Sequence, residues 1–360
     1  MRLLPLVFVF GFALALSAQT AAADVETLMR NGHWKRARQA AEEDYREHSK
    51  DAAAAYRLGR VRHAFLNLEE AINYGELAVS LDPKVDAYHR ALGEAYEDQI
   101  GHVSLFKQLG YSRRIRAELD AASAIAPKDP DNLNDQINYL LYAPGIAGGD
   151  KGKAGQLAGD LVQIDPARGY LALARIARER KEEDKLEGFY QEAVKANPQN
   201  YEARLALATF YFEPARRNLA LTERHAKAAI ELNPDRIGGY RWLASALASQ
   251  RRFDETTQVL SRAEATISDD LSPYVYAGRA LLRDAIELPR AESFLQKYLT
   301  ETKEPEAGAP LLAGAHWSLG LVYEKEGRLP DAKSELETAL RLKPDFQPAR
   351  KDLDRLKQTH

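Results

Sequence analysis

The stretch AAAAYRLGRVRHAFLNLEEAINYGELAVSLDP, residues 52–83, decides the fold. It reads as two helices and a stop. The first helix carries Leu58 beside Gly59, a large apolar side chain next to a residue small enough to let a neighbouring helix backbone come close. The second carries Ala71 and Ala78 with Leu81 behind them, and Asp82-Pro83 ends it because proline cannot continue a helix.

The same stop recurs along the chain, at Ile125-Ala126-Pro127, Ile164-Asp165-Pro166, Ala196-Asn197-Pro198, Leu232-Asn233-Pro234 and Leu342-Lys343-Pro344. Between Pro234 and Pro344 two further units lack the closing proline and keep the rest: Trp242-Leu243-Ala244 with Phe253 and Ala263, then Ala277-Gly278 with Ala291 and Leu295. The last unit has Leu319-Gly320, Tyr323, Gly327, Ala332, Leu336, Ala339 and Pro344 in order. Near the start, Gly32, Trp34 and Ala37 fit the turn and second helix of a degenerate terminal unit.

A unit of about 34 residues with a Leu-Gly pair, two later alanines and a closing proline resembles the tetratricopeptide repeat. The resemblance covers nearly the whole chain after residue 23 and implies an all-α fold: a right-handed superhelical solenoid of about eight or nine helix-turn-helix repeats. The organisation expected is a signal peptide at 1–23 and a degenerate repeat at 24–51. An array at 52–303 follows, then a linker at 304–312, the last repeat at 313–345 and a capping helix at 346–360. In that tail Phe346, Ala349, Leu353 and Leu356 share one face.

Residues 1–23 have an early charge at Arg2, an apolar run, and small residues at Ala21 and Ala23, which predicts a cleaved secretory signal. The run is shorter than the ~20 residues a membrane span needs, and no other stretch is apolar enough to cross. An exported chain is expected, in the periplasm if the cell is Gram-negative. With no cysteine among 360 residues, a disulfide framework, a cysteine-linked lipid and a cysteine nucleophile are all excluded. The formal net charge of −3 argues against nucleic acid as a partner.

Two adjacent units are too long. The excess is expected between their helices, at 99–112 (QIGHVSLFKQLGYS) and 142–150 (YAPGIAGGD), on one edge of the stack. The first carries Val103, Leu105, Phe106 and Leu109, which either pack within a longer helix pair or form a docking edge for a partner or a membrane. The second contains GGDKGK, residues 148–153. It fails as a phosphate loop because Ala147 and Ala154 stand where glycine and a hydroxyl residue are required and the preceding segment is helical; Asp150 reads as a helix N-cap. The segments at 143–154 and 164–177 are similar to exported bacterial tetratricopeptide proteins and, more weakly, to the T-component of TRAP-type transporters. That likeness implies a periplasmic accessory to substrate uptake. The family's usual lipid anchor needs a cysteine, which this chain lacks. Pro305, Gly308 and Pro310 mark a solvated loop or a hinge before the last unit.

No catalytic or metal constellation emerges. The eight histidines never fall at metal-ligand spacing, no serine sits in a Gly-x-Ser-x-Gly setting, and runs such as Glu182-Glu183-Asp184 read as solvated surface. No cofactor is called for.

In the repeat, first-helix positions flanking the Leu-Gly pair line the concave side. The candidate groove residues are Tyr139, Tyr142, Arg175, Arg178, Phe212, Arg241 and Arg279. Arginine forks and aromatic faces suit an extended peptide carrying carboxylates, unless the arginines pair with glutamates of adjacent helices. The expectation is a non-catalytic scaffold for a protein or acidic peptide. The alternative is an accessory of a transporter or envelope-assembly machine that binds a small ligand.

Overall fold

The computed structural model describes residues 24–302, 304, 307 and 311–358, apart from the side chain of Leu105. The expected signal peptide and most of the expected linker, with its Pro305, Gly308 and Pro310, lie outside the described residues. Among those described there are nineteen helices and no strand.

They run in pairs. The first is α1 (24–31) with α2 (Trp34–Glu47), followed by α3 (Ala52–Ala64) with α4 (Leu68–Leu81) and α5 (Asp86–Ile100) with α6 (Leu105–Ile125). Next come α7 (Pro130–Tyr142) with α8 (Lys151–Ile164) and α9 (Pro166–Glu179) with α10 (Leu186–Ala196). The remaining pairs are α11 (Tyr201–Phe212) with α12 (Leu219–Leu232), α13 (Ile237–Ser249) with α14 (Phe253–Thr266), α15 (Ser272–Asp284) with α16 (Leu288–Glu301), and α17 (Leu311–Lys325) with α18 (Leu329–Leu342). A single helix, α19 (Gln347–Gln358), follows.

Second helices end where the sequence places its stops. Helices α4, α6, α8, α10, α12 and α18 close on Leu81, Ile125, Ile164, Ala196, Leu232 and Leu342, one residue before each Xaa-Pro. The helix cannot run through proline, so the stop sets the length of the pair.

Each second helix also buries two positions seven residues apart. They are Ala71 and Ala78 in α4, Ile115 and Ala122 in α6, Ala154 and Leu161 in α8, and Leu186 and Ala193 in α10. In the later helices they are Thr222 and Ala229, Thr256 and Ala263, Ala291 and Tyr298, Ala332 and Ala339. Two helical turns separate the members of each pair, so both lie on the stripe that faces the first helices on either side. The small members let those helices close in. At Gly320 in α17, a Cβ would stand 3.1 Å from the Ala332 carbonyl oxygen, so glycine is what admits α18 at this distance.

The chain divides into two compact units, residues 1–189 and 190–360, with the boundary inside α10. Unit 1 carries separate clusters around Leu58 and Val61, around Leu92, Tyr96 and Ile115, and around Ile137, Leu141 and Leu161. Unit 2 has a longer core running from Leu260 through Leu281, Leu295, Leu319 and Leu336 to Leu353 and Leu356 of α19. The last helix therefore covers the apolar flank of α18, which would otherwise face water.

The lengthened units differ from the sequence expectation in how the extra residues are spent. Of 99–112 only residues 101–104 form a turn; Gln99 and Ile100 end α5, and 105–112 form the first part of α6, which reaches 21 residues. Tyr111 there packs edge-on against Tyr96, with ring centroids 5.7 Å apart. In 142–150 the chain makes a single 3-10 turn, Gly145–Ala147, tied down by Gly149 N–H donating to the Pro144 carbonyl and Asp150 N–H to that of Leu140.

Candidate functional site

In unit 2 the first helices of four successive repeats turn one face toward a shared concavity of about 810 Å³. Thr209 and Phe212 come from α11, Trp242 and Ser245 from α13, Tyr276, Arg279, Leu282 and Arg283 from α15, and Trp317, Ser318, Leu321 and Lys325 from α17; α19 adds Arg355. First helices recur at the same orientation in a stack, so a wall built from them is continuous, and side chains one or two turns apart on each helix share it.

The wall is aromatic. Phe212 lies 5.2 Å from the Trp242 ring, which meets Tyr276 edge-on at 5.5 Å. Trp317 is held by its indole N–H donating to Asp352 of α19 at 2.8 Å and by an edge contact with Phe346. Such pairing fixes ring planes in place, so a ligand meets surfaces already ordered.

Its charges are unevenly matched. Arg283 sits 4.3 Å over the Phe212 ring and shares Asp284 with Arg217, two cations on one carboxylate. Those two guanidinium donors hold the Asp284 carboxyl well below the usual carboxylate range although its burial works the other way. Arg355 forks onto Glu324 and also reaches Asp352 at 3.1 Å. Arg279 donates from Nε to the Ser318 hydroxyl at 2.9 Å and lies against the backbone at Gly314; among the described residues no carboxylate pairs with it. Burial pushes its pKa below the usual arginine value, with Tyr276 and Tyr298 opposing the shift. It remains a cation at neutral pH, since arginine titrates far above that range. Lys325 at the rim likewise has no carboxylate partner among the described residues.

The seven groove residues expected from sequence divide between the units. Phe212 and Arg279 line this concavity. Arg241 stands behind it, 5.4 Å from the Tyr276 ring, its guanidinium spent on Ser272 (2.6 Å) and Asp270 (3.0 Å). In unit 1, Arg175 donates to the Asn134 side-chain oxygen, and Arg178 is exposed with interactions of its own. Tyr139 is buried and donates to the Ala147 and Ser112 carbonyls, while Tyr142 is 58% exposed. Sequence reasoning left out Trp242, Tyr276, Arg283, Lys325 and Arg355 as wall residues. Trp242 adjoins the candidate Arg241 and differs from it by one step of helical rotation, while Tyr276 and Arg283 stand about one turn to either side of Arg279. Arg355 carries no repeat signal, because it comes from the helix that follows the repeats.

Tyr139 lines a second concavity, about 590 Å³, with Arg116, Asp120, Lys153 and Asp160. Its floor is the loop that superficially suits phosphate. There the Asp150 carboxylate accepts from the amides of Gly152 (2.9 Å) and Lys153 (3.0 Å), and those bonds hold its pKa down. The amides at the start of α8 are therefore already capped. Of the expected docking edge, Val103 is half-buried, Phe106 is 98% exposed and Leu109 45% exposed; the Leu105 side chain lies outside the described residues. No group of three or more His, Cys, Asp or Glu side chains among the described residues is placed to hold a metal ion.

Two family models, both described as tetratricopeptide repeat, match residues 25–86 and 313–346. No curated protein matches the chain. Among solved structures, yeast Tom70 is 14% identical, with 96% of this chain and 89% of that one covered at a TM-score of 0.50. A tetratricopeptide repeat protein from Parabacteroides merdae is 16% identical over 73% of this chain and 98% of that one, at a TM-score of 0.48. The chain thus carries tetratricopeptide repeats at both ends, and its helices follow the fold of a tetratricopeptide-repeat solenoid. That fold is a scaffold consistent with protein binding.

Proposed function

We propose that this protein is an exported, periplasmic, non-catalytic scaffold that holds an extended acidic peptide, or such a segment of a larger protein, in the concavity of unit 2. The observation that carries the reading is Arg279, a sheltered cation without a carboxylate partner among the described residues, set among Phe212, Trp242, Tyr276 and Trp317. A cation left unmatched in an aromatic cleft favours a ligand that brings its own carboxylate, and extended peptides alternate such groups with apolar side chains. Export rests on the sequence of residues 1–23.

Two of the three tryptophans, Trp242 and Trp317, line the site, so their fluorescence reports its occupancy. Titration with an acidic, aromatic-containing peptide should quench or shift that emission, and the same peptide with Asn and Gln for Asp and Glu should bind roughly tenfold more weakly, about 1.4 kcal/mol. Arg279→Gln with Lys325→Glu should abolish the difference between the two peptides. Equal affinity of the parent for both would overturn the acidic reading.

A second reading, an accessory of a transporter or assembly machine that binds a small ligand, draws on the size of the cavity. Its volume of about 810 Å³ lies in the range of small-molecule sites, roughly 300–1,000 Å³. A thermal shift caused by a small organic acid, with no response to peptides, would favour it.

A further inference from the structure

We infer that the edge of unit 1 formed by the α5–α6 and α7–α8 turns is a docking surface for an anionic lipid bilayer. Two large apolar side chains stand out there, Phe106 at 98% and Ile146 at 90% exposed, and Leu109 and Tyr142 beside them are about half exposed. Each sits within or next to the turn inside a repeat, and in a stack these turns fall along one edge. The α7–α8 turn is tied to α6. Tyr139 donates to the Ala147 carbonyl next to Ile146 and to the Ser112 carbonyl of α6, one helical turn beyond Leu109.

Charge selects the partner. Residues 101–117 hold no acidic side chain and four basic ones, Lys107, Arg113, Arg114 and Arg116, in a chain whose net charge is negative. Arg114 and Arg116 reach Glu76 and Asp120 only at 3.8 and 3.9 Å, and Lys107 and Arg113 have no carboxylate partner among the described residues. Phe106 and Ile146, exposed by nine-tenths or more, line neither of the two concavities described above. Protruding apolar tips ringed by lysine and arginine suit the headgroup region instead: the tips enter the acyl boundary while the cations meet lipid phosphates. This surface is separate from the concavity of unit 2 and does not depend on the peptide reading.

The test is flotation of the full chain with vesicles of phosphatidylcholine alone and with about one third phosphatidylglycerol, beside Phe106→Ser/Ile146→Ser and Lys107→Glu/Arg113→Glu variants. All carry the same residues 1–23, so differences between them read the edge. The parent should float with the anionic vesicles more than with the neutral ones, and less at high salt. Both variants should lose that anionic increment at least fivefold, and both should melt with the parent because the replaced side chains touch little. No anionic increment in the parent, or one that the variants retain, overturns the proposal. So does a self-association that the Phe106→Ser/Ile146→Ser change abolishes in the absence of lipid binding, since the edge would then serve a second copy.

Discussion

The Arg57 guanidinium places both Nε and Nη2 on a single oxygen of Asp44, at 2.9 and 2.6 Å, where each side chain is less than a tenth exposed. Asp44 stands seven residues after Ala37, the spacing at which other second helices bury alanine or a larger apolar residue. Removing one partner strands the other charge. Asp44→Ala should therefore cost about 3–5 kcal/mol, whereas Asp44→Leu combined with Arg57→Met should recover most of the loss. Thermal melts of both variants check this; equal damage from the two would mean the charge is not what matters.

Among the described residues four turns inside repeats force side-chain-bearing residues into left-handed backbone, the α15–α16 turn with Ala285 (φ 51°) and Glu287 (φ 46°) among them. Leu66, Lys181 and Arg251 have φ of 60°, 61° and 60°, where the corresponding turns of the first and last repeats use Gly32 (85°) and Gly327 (78°). Leu66→Gly and Arg251→Gly should each stabilise by up to about 1 kcal/mol, because a Cβ is disfavoured in that conformation. Gly327→Ala should lose a similar amount. Denaturant midpoints give the signs directly.

At the α8–α9 contact, Gly169 leaves no room for a methyl group. Its Cβ would stand 2.4 Å from the Val162 amide nitrogen and 2.5 Å from Val162 Cα. Those atoms are backbone and cannot swing away, so Gly169→Ala should cost ~1–3 kcal/mol by overpacking. Gly159, in α8 with open space where its Cβ would be, serves as the control: Gly159→Ala should leave melting unchanged or raise it.

Asp135 gives unit 1 a pH dependence. Burial, reinforced by Glu94, pushes its carboxyl up to about 6 against the opposing pull of Arg90, whose Nη1 stands 3.5 Å away. The native state then binds a proton that the unfolded chain has already released between pH ~4 and ~6. Stability from this group is greatest below that window and falls as pH rises through it. Asp135→Asn should flatten the fall and raise the melting temperature at pH 7.5 more than at pH 4. An identical shift at both values would remove Asp135 as its source.

The fold was legible because its signals are local and repeated. Each Xaa-Pro stop ends a helix whatever surrounds it, and Leu-Gly marks the close approach within a pair. The site was legible only at positions the repeat itself defines, such as Phe212 and Arg279. Arg241 stands beside the wall, but Asp270 and Ser272 claim its guanidinium. That competition arises between helices of adjacent repeats and leaves no trace in spacing. Arg355 belongs to α19, outside the repeat, so no register could have carried it to the wall. The lengthened unit shows a related gap: surplus residues announce themselves by count, yet whether they loop out or extend a helix depends on packing partners such as Tyr96 against Tyr111.

Asp165 is the only residue between α8 and α9. Its N–H donates to Leu161 to close one helix, and its carboxylate accepts from Arg168 N–H to open the next. One residue thus serves as the last link of one rod and the first of another, with Pro166 directly behind it. Neither helix can fray at this joint without uncapping its neighbour. Amide protons on both sides of Asp165 should therefore exchange with solvent in a single shared opening event, and this splice should behave as one mechanical element made of two helices.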